Sequence, residues 1–169
     1  MKLRYFLSFL LLGLFVTATA QSKSKAKAKT KKKVVAKANF TLLEASTWRT
    51  LPGMPGAEPQ TEYRFVIVWQ NASYPETFFW RGDAGWLTCQ IDKAHKAKGA
   101  RDYTTEFVTG DQMHKGDTLL LKPVRGGRFP IPAEIPEKAK NTLFYKVGGS
   151  GWLAFPVSKI TRKADVALP

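Results

Sequence analysis

The chain has 169 residues, with 27 Lys or Arg against 13 Asp or Glu, a formal charge of +14 and a pI near 10.0. A 44% hydrophobic and 12% aromatic content excludes a fully disordered polymer, and the length suits one folded domain. Thirteen glycines and ten prolines argue against a helix bundle and for a turn-rich β protein, and a lone cysteine, Cys89, excludes an intrachain disulfide and any multi-cysteine metal site.

Residues 1–20 open with Lys2 and Arg4, continue as an apolar run from Tyr5 to Val16 and end in Thr17-Ala18-Thr19-Ala20. This is the three-part pattern of a secretory signal peptide, with cleavage expected after Ala20. The run is short for a bilayer span, so no transmembrane anchor is expected after cleavage and the mature protein is expected in the periplasm or outside the cell. The alternative is an uncleaved, reversed anchor, favoured by the heavier positive charge downstream of the run.

Residues 21–38 follow with Lys23, Lys25, Lys27, Lys29, Lys31, Lys32, Lys33 and Lys37 and no acidic or aromatic residue. Such a segment has too little apolar surface to order itself and is expected to be disordered. It reads either as a solvated spacer or as a non-specific contact for anionic polymers or surfaces, driven by counterion release. Residues 39–169 keep 17 basic and 13 acidic side chains, a balance of only +4.

From Asn39 onward the hydrophobic pattern has period two. In 62–70, Tyr63, Phe65, Ile67 and Trp69 share one face while Arg64, Val66 and Val68 share the other. Similar runs at 39–46, 76–81, 86–91, 103–109, 117–122, 142–147 and 152–161, each bounded by turn residues, bring the candidate strands to eight. Gly148-Gly149-Ser150-Gly151 is a hairpin signal, and Pro156 marks an edge strand or bulge. The polar stretch 92–101 reads as a loop or a single turn. The expectation is an all-β domain at 39–169, a single antiparallel β-sandwich, immunoglobulin-like or jelly-roll-like, of about eight strands.

These patterns resemble a family of small exported β-sandwich proteins of Gram-negative bacteria. The similarity lies in Leu42, Leu43, Ala45 and Trp48 before a Gly/Pro turn and Tyr63-x-Phe65. It continues in Phe78-Phe79-Trp80-x-Gly82, in Gly116 to Leu121, and in Leu143 to Gly149 followed by Leu153, Phe155, Val157 and a closing Pro169. The resemblance implies a fold and no catalytic residues. The lysine-rich segment and the turn Pro52-Gly-Met-Pro-Gly56 depart from the family pattern.

Chemistry-bearing positions are few. His95 lies among lysines and reads as a surface loop residue. His114, between Asp111 and Asp117, has metal-ligand residue types at short spacing, but Gly and Asp there also serve a turn, and neither a metal nor a cofactor is expected. An enzyme would need His114 to meet Asp111, Asp117 or Glu106 in a cleft. Ser150 has the wrong glycine spacing for a nucleophile elbow, and no small-molecule substrate is indicated. Arg125-Gly126-Gly127-Arg128 reads as a glycine-rich loop with solvated arginines, or as an anion cradle. Cys89 shares a face with Leu87 and Ile91 and reads as a buried hydrophobe. Of the five tryptophans, Trp69 reads as core; Trp80 and Trp86, flanking the turn at 81–85, are the candidates for stacking on a ligand ring. The function expected is that of a non-enzymatic envelope protein contacting anionic polymers, the alternative being a carbohydrate-binding module using exposed tryptophans.

Overall fold

The computed structural model describes residues 38–83, 85–126, 130–135 and 139–168; the expectations for residues 1–37, including all eight lysines of the basic segment, lie outside these. Ten strands and one short 3₁₀ turn make up the described chain: β1 (Phe40–Leu51), β2 (Gln60–Trp69), β3 (Pro75–Gly82), β4 (Gly85–His95), β5 (Thr104–Phe107), the turn Gly110–Gln112, β6 (Thr118–Val124), β7 (Thr142–Val147), β8 (Leu153–Pro156), β9 (Thr161–Arg162) and β10 (Val166–Ala167). The all-β expectation holds. The hydrogen-bond ladder, however, links all ten strands in one sheet, ordered β10-β1-β2-β6-β4-β3-β7-β8, with β5 on β4 and β9 on β1. The sheet is mixed, because β9 and β10 run parallel to β1.

Alternation dictates which residues fill the interior. In β2, Tyr63, Phe65, Ile67 and Trp69 all face inward and are buried, as their period predicts. β1 would break that parity, since Phe40 and Leu42 are even-numbered and Ala45 is odd. A bulge between Leu42 and Glu44 resolves it, setting Phe40 opposite Trp69, Leu42 opposite Ile67 and Ala45 opposite Phe65 while Leu43 stays exposed. Phe78 and Trp80 of β3, Cys89 of β4, Leu119 and Leu121 of β6, and Leu143 and Tyr145 of β7 complete the same inner face.

The sheet curls until its ends meet. Laid flat, β9 would stand about 34 Å from β8 at roughly 4.8 Å per strand spacing. Yet residues 157–160 alone join Pro156 to Thr161, a span of at most about 18 Å. The chain therefore leaves β8 at one end of the sheet and re-enters beside β1 at the other. Val157 is buried along the way, and its N–H donates to Asn141 O at 2.8 Å. Outside this seam, Glu44 accepts from Lys163 Nζ at 2.7 Å and from Arg64 Nη2 at 3.0 Å, tying the C-terminal segment to β1 and β2.

Two smaller clusters cover the outer face: Val66, Ala94 and Leu120 beneath Tyr103, and Phe79, Ile135 and Phe144 beneath Trp86, Ala139 and Trp152. Two further expectations change. The stretch 92–95, read as loop, continues β4, because its upper half gains pairing from β5 and β6 on both sides. The run 152–161 divides into two strands that serve opposite ends of the sheet, and Pro156 ends the edge strand β8 as its missing N–H requires.

Candidate functional site

Two concavities stand out on the surface of the described residues. The first is the open mouth of the curled sheet, a cavity of about 330 Å³. Here the inward face changes character: past Ala45 the next inward positions of β1 are Thr47 and Arg49, opposite Tyr63 and Thr61 of β2. Arg162 of β9 pairs in register with Thr47, and Trp48, Asp83, Asn141 and Ile160 complete the rim. The Arg49 N–H donates to Asp165 Oδ1 at 3.2 Å, and Arg162 Nη2 lies 3.3 Å from the same oxygen. No ion pair holds the Arg49 guanidinium among the described residues. Burial, then the charge of Asp83, raises the Tyr63 phenol above its ordinary range, against the opposing N–H groups of Asp83 and Trp80. The mouth thus offers the Arg49 guanidinium and a protonated phenol beside Arg162, which Asp165 already engages, a set that favours anionic or hydroxyl-rich groups.

The second concavity, about 710 Å³, opens where β4 changes partner. One edge of β4 pairs with β3 as far as Cys89, opposite Phe78, and with β5 from Asp92, opposite Phe107, so Gln90 and Ile91 lie between the two neighbours. Val108, Met113 and Ile91 line it, with Tyr74 and Phe107 among the residues that border it. No sequence signal announced either cavity. The mouth depends on the β1 bulge, which flips the parity of Thr47 and Arg49, and the cleft depends on β4 having two partners along one edge.

Of the positions singled out in sequence, the structure brings His114 beside Asp117 and places the others in strands and turns. His95 ends a strand instead of sitting in a loop; it pairs with Thr104, with its Nε2 3.9 Å from Glu106. His114 Nδ1 lies 3.8 Å from Asp117, whose carboxylate also accepts from the His114 backbone N–H at 2.8 Å and from Lys93 Nζ at 2.9 Å. Partial burial works to raise the Asp117 carboxyl, but Lys93 and the His114 N–H hold it below its ordinary value. Asp111 accepts from Thr109 Oγ1, and Gln112 Oε1 accepts from the Thr109 N–H, so this stretch is a hydrogen-bonded turn. Among the described residues no three of His, Cys, Asp and Glu converge as a metal site. Ser150 Oγ accepts from Val147 N–H and donates to Gly151 O, a turn role. Of the Arg125-Gly-Gly-Arg128 loop only Arg125 and Gly126 are described, Gly126 at φ +70°.

The tryptophans divide. Trp80 is fully buried, tilted against Phe65 at 4.7 Å and Tyr63 at 5.4 Å, so it offers no face to a ligand, contrary to expectation. Its strand position explains this: Trp80 pairs with Leu143 and Leu87, both on the inner face. Trp86 is half-buried on the outer face, 5.3 Å from Phe144 and under the Arg81 guanidinium at 5.5 Å. Trp152 packs similarly on Phe79 at 5.5 Å. Cys89 is buried, and burial pushes its thiol well above the ordinary range, so it stays protonated.

No protein-family model, curated protein or solved structure matches this chain.

Proposed function

We propose that the protein is a non-enzymatic exported protein of a bacterial envelope, periplasmic or extracellular, that contacts anionic polymers through Lys23 to Lys37, its folded part being a sandwich-like domain of the exported family it resembles. The observation that carries this reading is the charge distribution: eight lysines in 21–38 without one acid, against a balance of +4 for everything after it. A polymer of closely spaced negative charges gains most from such a segment, because every neutralised phosphate, sulfate or carboxylate releases a counterion. At the mouth, Arg49 and Arg162 supply a second, weaker contact for the same class of partner. Export rests on the 1–20 pattern, with Gln21 as the mature N-terminus.

The test is retention on immobilised heparin. Replacing the eight lysines with serine is expected to abolish retention at physiological salt, whereas scrambling their order leaves it intact. Undiminished retention of the serine variant contradicts the reading. A carbohydrate-binding role through tryptophans is the second reading, supported by the half-buried Trp86 and Trp152 on one outer face; it requires that Trp86→Ala weaken binding of a neutral polysaccharide.

A further inference from the structure

We propose that the cleft between β3 and β5 binds a neutral, ring-bearing apolar small molecule that carries one or two hydrogen-bonding groups. This is independent of the polyanion contact: it uses none of the same residues and needs the opposite ligand chemistry. The cavity volume of about 710 Å³ falls within the roughly 300–1,000 Å³ range of small-molecule sites. It also reaches past the sheet surface to side chains of the core, since Val108 and Met113 belong to the main hydrophobic cluster.

Two aromatic rings border the opening at a cost. Phe107 is 73% exposed and Tyr74 46% exposed, the first among the largest exposures of any big hydrophobic residue in the described chain. Tyr74 lies against Gly110: a Cβ there would stand 2.7 Å from its ring carbons, so only glycine lets the ring rest where it does. Aromatic rings left in water beside an apolar cavity gain from a ring that covers them.

Charge selects the ligand further. Glu76 is the one charged side chain lining the cleft among the described residues, and it is committed, accepting from Gly149 N–H at 2.8 Å and lying 3.6 Å from Lys146. An anionic ligand would therefore meet no cationic side chain among the described residues that line the cleft, which is costly in an apolar site. Hydrogen-bonding capacity is present instead. Gln90 donates its Nε2 to Asp92 at 2.9 Å, which leaves its carbonyl oxygen to accept, and the Thr77 and Thr88 hydroxyls have no protein partner among the described residues.

The test is titration of the mature protein with the neutral fluorophore N-phenyl-1-naphthylamine, with anionic 1-anilinonaphthalene-8-sulfonate as the second arm. Saturable one-to-one binding of the neutral probe is expected, at least tenfold tighter than that of the anionic one. Phe107→Ser, and Gly110→Ala through displacement of Tyr74, are each expected to weaken it at least tenfold without loss of the folded circular-dichroism signal. Leu43→Ser, which removes an exposed apolar side chain outside the cleft, is expected to change nothing. Absence of saturable binding, equal affinity for the anionic probe, or an affinity unmoved by both cleft variants overturns the proposal. Deleting 21–37, which removes the lysines of the polyanion reading, is expected to leave this titration unchanged, so the two readings fail separately.

Discussion

The rings of Phe40 and Phe155 lie 4.7 Å apart, although their strands, β1 and β8, stand near opposite ends of the ladder. Phe40 also meets Tyr145 edge-on at 5.2 Å and Phe78 at 5.8 Å, so one side chain of the first strand touches three strands from the far side of the sheet. That contact is the packing counterpart of the seam made by 157–160.

Closure should therefore depend on this pair. Phe40→Ala is expected to destabilise the domain by about 3–5 kcal/mol, the usual range for a buried phenylalanine. In a double-mutant cycle by urea denaturation, Phe40→Ala and Phe155→Ala should couple by about 0.5–1.5 kcal/mol. Strict additivity would mean that the two ends close independently of each other.

The register of β2 is tested by neighbours on opposite faces. Phe65→Ala should cost about 3–5 kcal/mol. Arg64→Ala, whose partner Glu44 keeps Lys163, should cost about 1 kcal/mol. Equal effects would shift the strand by one residue.

Much of this fold was legible in the sequence because alternation is a local signal. Tyr63, Phe65, Ile67 and Trp69 bury the face their spacing predicts, and the runs at 117–122 and 142–147 form strands as their composition predicts. What escaped depended on non-local pairing. Phe79 and Phe144 look like core residues, yet they form a separate cluster on the outer face beneath Trp86 and Trp152. Trp80 sits near a turn in sequence but on the inner face of the curled sheet in space. β10 is two residues long and has no pattern of its own, so only its partner β1 reveals it. The candidate sites were least legible, since Arg49 turns inward only because of a bulge several residues away.

Gly82 sits where the core leaves no room for a side chain. A Cβ there would stand 2.6 Å from Trp80 Nε1 and 3.2 Å from the Tyr63 hydroxyl, and the Trp80 N–H is buried without a well-formed hydrogen bond. Gly82→Ala is expected to destabilise by about 1–3 kcal/mol through overpacking, together with a change in near-ultraviolet circular dichroism from the displaced indole. An unchanged melting curve would show that the space is larger than it looks.

Acid should loosen the tie between the C-terminal segment and β1. Partial burial tends to raise the Glu44 carboxyl, but the hydrogen bonds and charges of Lys163 and Arg64 outweigh it and hold the pKa at about 2, below its ordinary 4.5. A carboxyl depressed in the folded state binds fewer protons there than in the unfolded chain, so its stabilisation is full above about pH 4.5 and is lost as pH falls toward 2. Asp117, also depressed, acts in the same direction. Thermal unfolding is expected to show a loss of stability over that window, reduced in Glu44→Gln. A variant with the same pH profile as the parent would remove Glu44 from the account.

The central claim, that the lysine-rich segment provides most of the polyanion contact and the folded domain only a weaker one, is tested most directly by the salt dependence of binding to duplex DNA. With all eight lysines of 21–38 engaged, the slope of log K against log salt should approach about −7, and the 39–169 fragment should bind far more weakly with a much shallower slope. Equal affinity and equal slope for the mature protein and the fragment would contradict the account and move the contact to the arginines of the folded domain.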